Sequence, residues 1–121
     1  MPVIHVRTTQ LDRDRPAEIL AETARAVADA VPCDLEGVWC TFTPVDVLTV
    51  GAQVREAAGR IVYVDVWIRP RLGDEEAAAR ALSAACAAIA SGFGVPLEDL
   101  WGTLRPVEPN RVFAGGSLID T

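Results

Sequence analysis

The stretch Trp39-Cys40-Thr41-Phe42-Thr43-Pro44-Val45-Asp46 returns, altered but recognisable, as Trp101-Gly102-Thr103-Leu104-Arg105-Pro106-Val107-Glu108, an offset of 62 residues. Working outward at that offset, Leu20 and Val27 meet Leu82 and Ile89, while Ile4, Val6 and Arg7 meet Val66, Ile68 and Arg69. Self-similarity at a fixed spacing means one structural unit used twice. The units run from about 2 to 45 and from about 61 to 107.

Each unit opens on a β-branched run, Val3 to Thr8 and Ile61 to Ile68, which favours a strand. A helix follows. In the first unit Asp14 is placed to cap and Pro16 suits the opening turn, after which Ile19, Leu20, Thr23, Val27 and Val31 recur at helical spacing. In the second, Asp74, Glu75 and Glu76 complement a helix N-terminus, and Leu82, Ala85, Cys86, Ile89 and Phe93 form the apolar stripe. Val31-Pro32 and Gly94-Val95-Pro96 stop the helices, and short strands at Gly37 to Thr43 and Asp99 to Arg105 end before Pro44 and Pro106.

Strand, helix and strand within about 45 residues make a right-handed βαβ unit with parallel strands. The expected fold is α+β: two tandem βαβ units in one domain over 1–121, forming a four-stranded mixed sheet with two helices on one face. Residues 46–60 link the units, and the tail from Pro109 adds a hairpin or an edge strand. In Ile61-Val62-Tyr63-Val64-Asp65-Val66-Trp67-Ile68 both alternating sets are mostly apolar, the pattern of a strand covered on both sides. Two helices cover only one side. The other is expected to be buried in a symmetric oligomer.

Composition removes several classes of function. The chain has 121 residues, 11 basic and 17 acidic, for a net charge of -6, with no two basic residues adjacent and so no clustered face for a phosphate backbone. No nucleic-acid or membrane partner is expected, because no apolar run approaches the roughly 20 residues of a membrane span. Cys33, Cys40 and Cys86 lack CxxC spacing and sit in apolar runs, which reads as packing in a reducing, cytoplasmic compartment. His5 is the only histidine, and no cluster has metal-ligand spacing, so neither metal nor cofactor is expected. His5 itself reads as a strand residue packed at an interface.

Two features carry chemistry. Pro2 follows the initiator methionine, and removal of Met1 would leave a secondary amine at the start of the first strand. An α-amino group has a reference pKa of about 7.7 to 8.0, and burial or nearby cations favour its neutral, basic form. Such a group is a competent general base. Arg69-Pro70-Arg71 ends the third strand, with two guanidinium forks suited to a carboxylate. A pseudo-twofold axis between the units lays the first and third strands antiparallel, which brings the start of one, Pro2, beside the end of the other.

On these residues the sequence resembles the tautomerase superfamily, whose members carry an amino-terminal catalytic proline on a βαβ scaffold, duplicated in the longer ones. The resemblance rests on Met1-Pro2-Val3-Ile4, the helix and Val-Pro turn of each half, and the duplication. Arg69-Pro70-Arg71 with Asp74-Glu75-Glu76 is similar to a segment of the malonate semialdehyde decarboxylase branch, where the arginine pair binds carboxylate; Asp34 stands near that branch's aspartate. Asp99-Leu100-Trp101 is similar to the final strand of the cis-3-chloroacrylic acid dehalogenase branch, whose water-activating tyrosine and glutamate are replaced here by Thr103 and Phe113. The short 4-oxalocrotonate tautomerases have arginine where this chain has Trp39.

The resemblance implies that Pro2 shuttles a proton on a small 2-oxo or 2-hydroxyalkenoic acid while Arg69 and Arg71 hold its oxygens. Trp39, Trp101 and Phe113 are candidate walls of the cleft, and Arg111 is a candidate to reach a neighbouring subunit's site. The family also implies a homotrimer. Two alternatives remain at this stage: decarboxylation or hydration of a three-carbon acid, favoured if Asp34 or Asp65 approaches Pro2, and a noncatalytic oligomeric binding protein.

Overall fold

A computed structural model describes residues 2–9, 15–31, 33–54, 62–69, 75–108 and 110–119. The readings placed above on Met1, Asp14, Pro32, Ile61, Pro70, Arg71, Asp74 and Pro109 lie outside these residues. The elements are β1 (Val3–Thr8), α1 (Pro16–Ala30), β2 (Trp39–Pro44), β3 (Thr49–Val50), β4 (Gln53–Val54), β5 (Val62–Ile68), α2 (Glu75–Phe93), β6 (Leu100–Pro106), β7 (Val112–Ala114) and β8 (Ser117–Ile119).

The main sheet has the order β2-β1-β5-β6. β1 runs parallel to β2, β5 runs parallel to β6, and the central pair β1 and β5 is antiparallel. This is the expected mixed sheet of two βαβ units. The linker forms the two-stranded ribbon β3–β4, and the tail forms the hairpin β7–β8. Gly37 lies in a single 3-10 turn, Leu35–Gly37, so β2 begins at Trp39, two residues later than its composition suggests.

Alternation decides which side of the sheet each residue occupies. Ile4, Val6 and Thr8 of β1 and Val62, Val64, Val66 and Ile68 of β5 are buried, and they join Ile19, Val27, Ala81, Ala85, Ile89 and Phe93 of the helices in one core. Small residues let the layers approach closely. A Cβ on Gly92 would come within 2.6 Å of Ile19 Cγ2, so the two helices touch there, and one on Gly102 would come within 2.7 Å of Cys86 Sγ, where β6 passes under α2. Thr23, buried in α1, donates its hydroxyl to the Ile19 carbonyl at 2.8 Å and leaves no polar group unsatisfied.

The duplication is not uniform along the chain. From the helices onward the 62-residue offset holds, since buried Ile19, Thr23 and Val27 correspond to Ala81, Ala85 and Ile89. In the first strands the offset is 60. Thr8 pairs with Pro44 and Ile68 with Pro106, and Val45 and Val107 donate to the Thr8 and Ile68 carbonyls respectively. Arg69 therefore stands where Thr9 stands in the first unit, and not where Arg7 does. The second unit carries two extra residues between its first strand and its helix.

Candidate functional site

Register places the odd-numbered strand residues on the helix-free face in three rows. The first reads Trp39, Val3, Trp67, Arg105 across β2, β1, β5 and β6. The middle row is Thr41, His5, Asp65, Thr103, and the third is Thr43, Arg7, Tyr63, Trp101. With the 60-residue strand offset, His5 and Asp65 are each other's counterparts, and they pair directly. The pseudo-twofold axis passes between them, and the first and third rows are the two equivalent ends.

Pro2 belongs to the first end. It precedes Val3, its carbonyl accepts a hydrogen bond from the Trp39 N–H at 3.1 Å, and its side chain is fully buried. Because Val3 pairs with Trp67, the end of β5 lies alongside, and Arg69 follows it, only 7% exposed. The antiparallel register thus brings Pro2 and Arg69 to one end of the sheet. A surface cavity of about 740 Å³ opens at the same end of β5 and β6, lined by Trp67, Arg105 and Arg111 among others. The Arg105 guanidinium lies over the Trp67 ring, 5.7 Å from its centroid, and its Nε is 3.8 Å from Asp65 Oδ1.

Burial is the main influence on the Cys33 thiol and pushes it up, and the neighbouring Asp34 carboxylate adds to the rise. Cys40, deeper under the helices, is pushed up to about 11 by burial, and Cys86 is raised by the same cause. All three are free thiols.

The fold can now be compared with known proteins. A fused 4-OT in its wild-type symmetric-trimer form superposes with a TM-score of 0.80 at 19% identity, covering 98% of this chain and 95% of that one. A member of the cis-3-chloroacrylic acid dehalogenase family gives 0.78 at 20% identity, covering 97% and 82%. Macrophage migration inhibitory factor of Toxoplasma gondii gives 0.75 at 17% identity, covering 97% and 99%. The fold is that of the tautomerase superfamily. No protein-family profile matches the sequence, and no curated protein matches it either.

Within this tautomerase fold the sequence-based site residues separate into groups. Pro2, Trp39 and Arg69 share one end, and Arg111 lines the cavity there. Trp101 pairs with Tyr63, so within the chain it lies at the opposite end, as the counterpart of Trp39. Phe113 is on the tail hairpin, paired with Leu118, and is 70% exposed. Arg71 falls outside the described residues. Asp65 sits in the middle row, where it accepts from the Thr103 hydroxyl and faces Arg7 at 3.6 Å, engaged away from Pro2.

Sequence reasoning missed Trp67 and Arg105. Both were legible in principle: alternation through Val62–Ile68 puts Trp67 on the helix-free face, and the parallel register sets Arg105 beside it.

Proposed function

We propose that this chain is a cofactor-independent enzyme of the tautomerase superfamily that uses the nitrogen of Pro2, freed by removal of Met1, to tautomerise a small 2-oxo or 2-hydroxyalkenoic acid. The observation that carries this reading is the antiparallel β1–β5 register, which sets Pro2 and buried Arg69 at one end of the sheet. Burial of Pro2 disfavours a charged amine and supports its use as a base. In the ketonisation direction the free amine takes the proton from the enol oxygen and then, as the ammonium, delivers it to carbon; in the reverse direction it takes the carbon-bound proton and gives it to oxygen, so the amine ends each turnover neutral. Arg69 and Arg71 hold the carboxylate and the oxygen on which negative charge develops. Trp39 and Trp67 wall the cleft and keep water from it.

The assembly belongs to the same reading. The helix-free face leaves Trp39 58%, Trp67 41% and Trp101 62% exposed in the single chain, more apolar surface than a solitary domain usually shows to water. Copies that cover this face form a homotrimer, as the fused 4-OT does. The three free thiols fit a reducing cytoplasm.

Turnover of phenylpyruvate and of 2-hydroxymuconate, compared between the wild type and Pro2→Ala, tests the proposal. A loss of at least about 100-fold is expected from removing a general base. Because the sequence contains no lysine, reductive trapping with a 2-oxo acid adds a single label, at Pro2. Intact mass retaining Met1, or unchanged turnover in Pro2→Ala, overturns it. Ligand binding without turnover by wild type with a free Pro2 amine would favour a noncatalytic binding protein.

A further inference from the structure

One free edge of the main sheet is β6, and the cavity of about 740 Å³ opens where that strand ends and the tail begins. Its volume is within the range of pockets that hold small molecules. The lining comes from three places: Trp67 near the end of β5, the run from Leu104 to Glu108 at the end of β6, and Arg111 just before β7. Pro2 and Arg69 are not among the residues that line it.

Four of the lining side chains are apolar and three are charged. Arg105 is oriented before any ligand arrives: its guanidinium lies over the Trp67 ring, and its Nε is 3.8 Å from Asp65 Oδ1. Those ties leave its two terminal nitrogens to donate elsewhere. A guanidinium fixed in this way loses little freedom on binding and offers a carboxylate two parallel donors. Arg111 follows Asn110, whose φ of 64° is left-handed and whose N–H donates to the Ile119 carbonyl at 2.8 Å. That bond closes the base of the tail hairpin and sets where Arg111 leaves it. Among the described residues, neither Arg111 nor Glu108 has an ion-pair partner.

We propose that this cavity is a second ligand site, for a monocarboxylic acid with an apolar body, separate from the Pro2 end and independent of whether Pro2 acts as a base. The carboxylate sits on Arg105 and Arg111, and the apolar body lies against Trp67, Leu104 and Val107. Glu108 gives the site its selectivity, because a fixed carboxylate repels a second negative charge on the ligand and so works against diacids.

The three indoles are built-in reporters, since Trp67 lines the cavity and Trp39 and Trp101 do not. Phenylacetate is the probe: it has the carboxylate and the apolar body but no 2-oxo group, so it is not turned over by the proposed tautomerase. In proton–nitrogen correlation spectra, with indole resonances assigned through Trp39→Phe and Trp67→Phe, phenylacetate should shift the Trp67 resonance saturably and leave that of Trp39 in place. Arg105→Gln and Arg111→Gln should each weaken binding at least about 10-fold, the size of a lost charge-assisted hydrogen bond. The diacid para-phenylenediacetate should bind at least about 5-fold more weakly than phenylacetate, and Glu108→Gln should narrow that gap. A Trp67 resonance that phenylacetate does not move, a shift that both arginine variants leave intact, or a diacid that binds the wild type as tightly as phenylacetate overturns the proposal. So does a shift confined to Trp39, which would assign the acid to the Pro2 end. None of these outcomes depends on turnover, so failure here leaves the tautomerase reading standing, and unchanged turnover in Pro2→Ala leaves this site standing.

Discussion

At one end of the helix-free face stand Trp39, Val3, Trp67 and Arg105; at the other, Trp101, Tyr63, Arg7 and Thr43. The two ends come from the same βαβ plan, and each has an arginine and an exposed indole. They diverge just beyond the rows. The first has Pro2, buried and anchored to Trp39, and the buried guanidinium of Arg69. The second has Val62 where Pro2 stands and Thr9 where Arg69 stands, both also buried. An interior valine has no amine to offer, because its nitrogen is part of a peptide bond. Duplication therefore preserves a scaffold while the proposed chemistry is confined to the end that carries Pro2.

The largest expected effect contrasts the counterparts directly. Pro2→Ala should lower turnover by at least about 100-fold with the melting temperature nearly unchanged. Val62→Ala should do the reverse, costing about 1 to 3 kcal/mol of stability, as large-to-small core changes do, while turnover per folded molecule persists. Steady-state kinetics with chemical denaturation of both variants would expose any mixing of the two roles.

Next is the scaffold that both ends share. Gly92→Ala forces a methyl against Ile19 and should cost about 1 to 2 kcal/mol, read from the urea midpoint. No loss there would mean that the helices are further apart than the backbone indicates.

A sharper comparison uses the two indoles. Trp39→Ala should lower kcat/KM by about 10-fold, equivalent to roughly 1.4 kcal/mol of transition-state binding. Trp101→Ala should change it less than about 2-fold. An equal loss in both would mean that a neighbouring copy brings Trp101 to the Pro2 end.

Smaller effects concern the layer beneath. Burial raises the folded-state value of the Cys40 thiol to about 11, so above pH 9 the unfolded chain gives up its proton more readily than the folded one. The associated stability is complete below pH 9 and is lost as the pH climbs toward 11. Urea midpoints across that range should fall, and Cys40→Ala should flatten part of the slope. The smallest effect is at the end of α1, which has no basic residue in its last turn. There Arg80 of α2 donates from Nε to the Ala30 carbonyl at 3.4 Å. Arg80→Ala should cost a few tenths of a kcal/mol in thermal denaturation.

Much of this architecture was legible because the signals are periodic. Alternation in Val3–Thr8 and Val62–Ile68 assigns faces, and helical spacing from Ile19 to Val27 and from Ala81 to Ile89 assigns the core. The repeat gave the topology. Its offset misled in one place: comparison at 62 equates Arg69 with Arg7, whereas hydrogen bonding equates it with Thr9. A slip of two residues keeps every side chain on its own face, so no hydrophobic pattern could reveal it. The same blindness hid Arg105 and Trp67, since their adjacency depends on register between strands. Trp39 and Trp101 looked like partners because they are repeats of each other, yet a twofold axis sends repeats to opposite ends.

The bond from Trp39 to the Pro2 carbonyl has a practical consequence. It anchors the chain through the oxygen side of Pro2 and asks nothing of the ring nitrogen, which has no hydrogen to donate to a neighbouring strand once it is acylated. A purification tag placed ahead of Pro2 can therefore leave the sheet intact and the melting curve normal while turning the proposed base into an inert amide. Preparations that look faultless by every folding criterion could still be chemically silent, so a tag for this protein belongs at the other terminus.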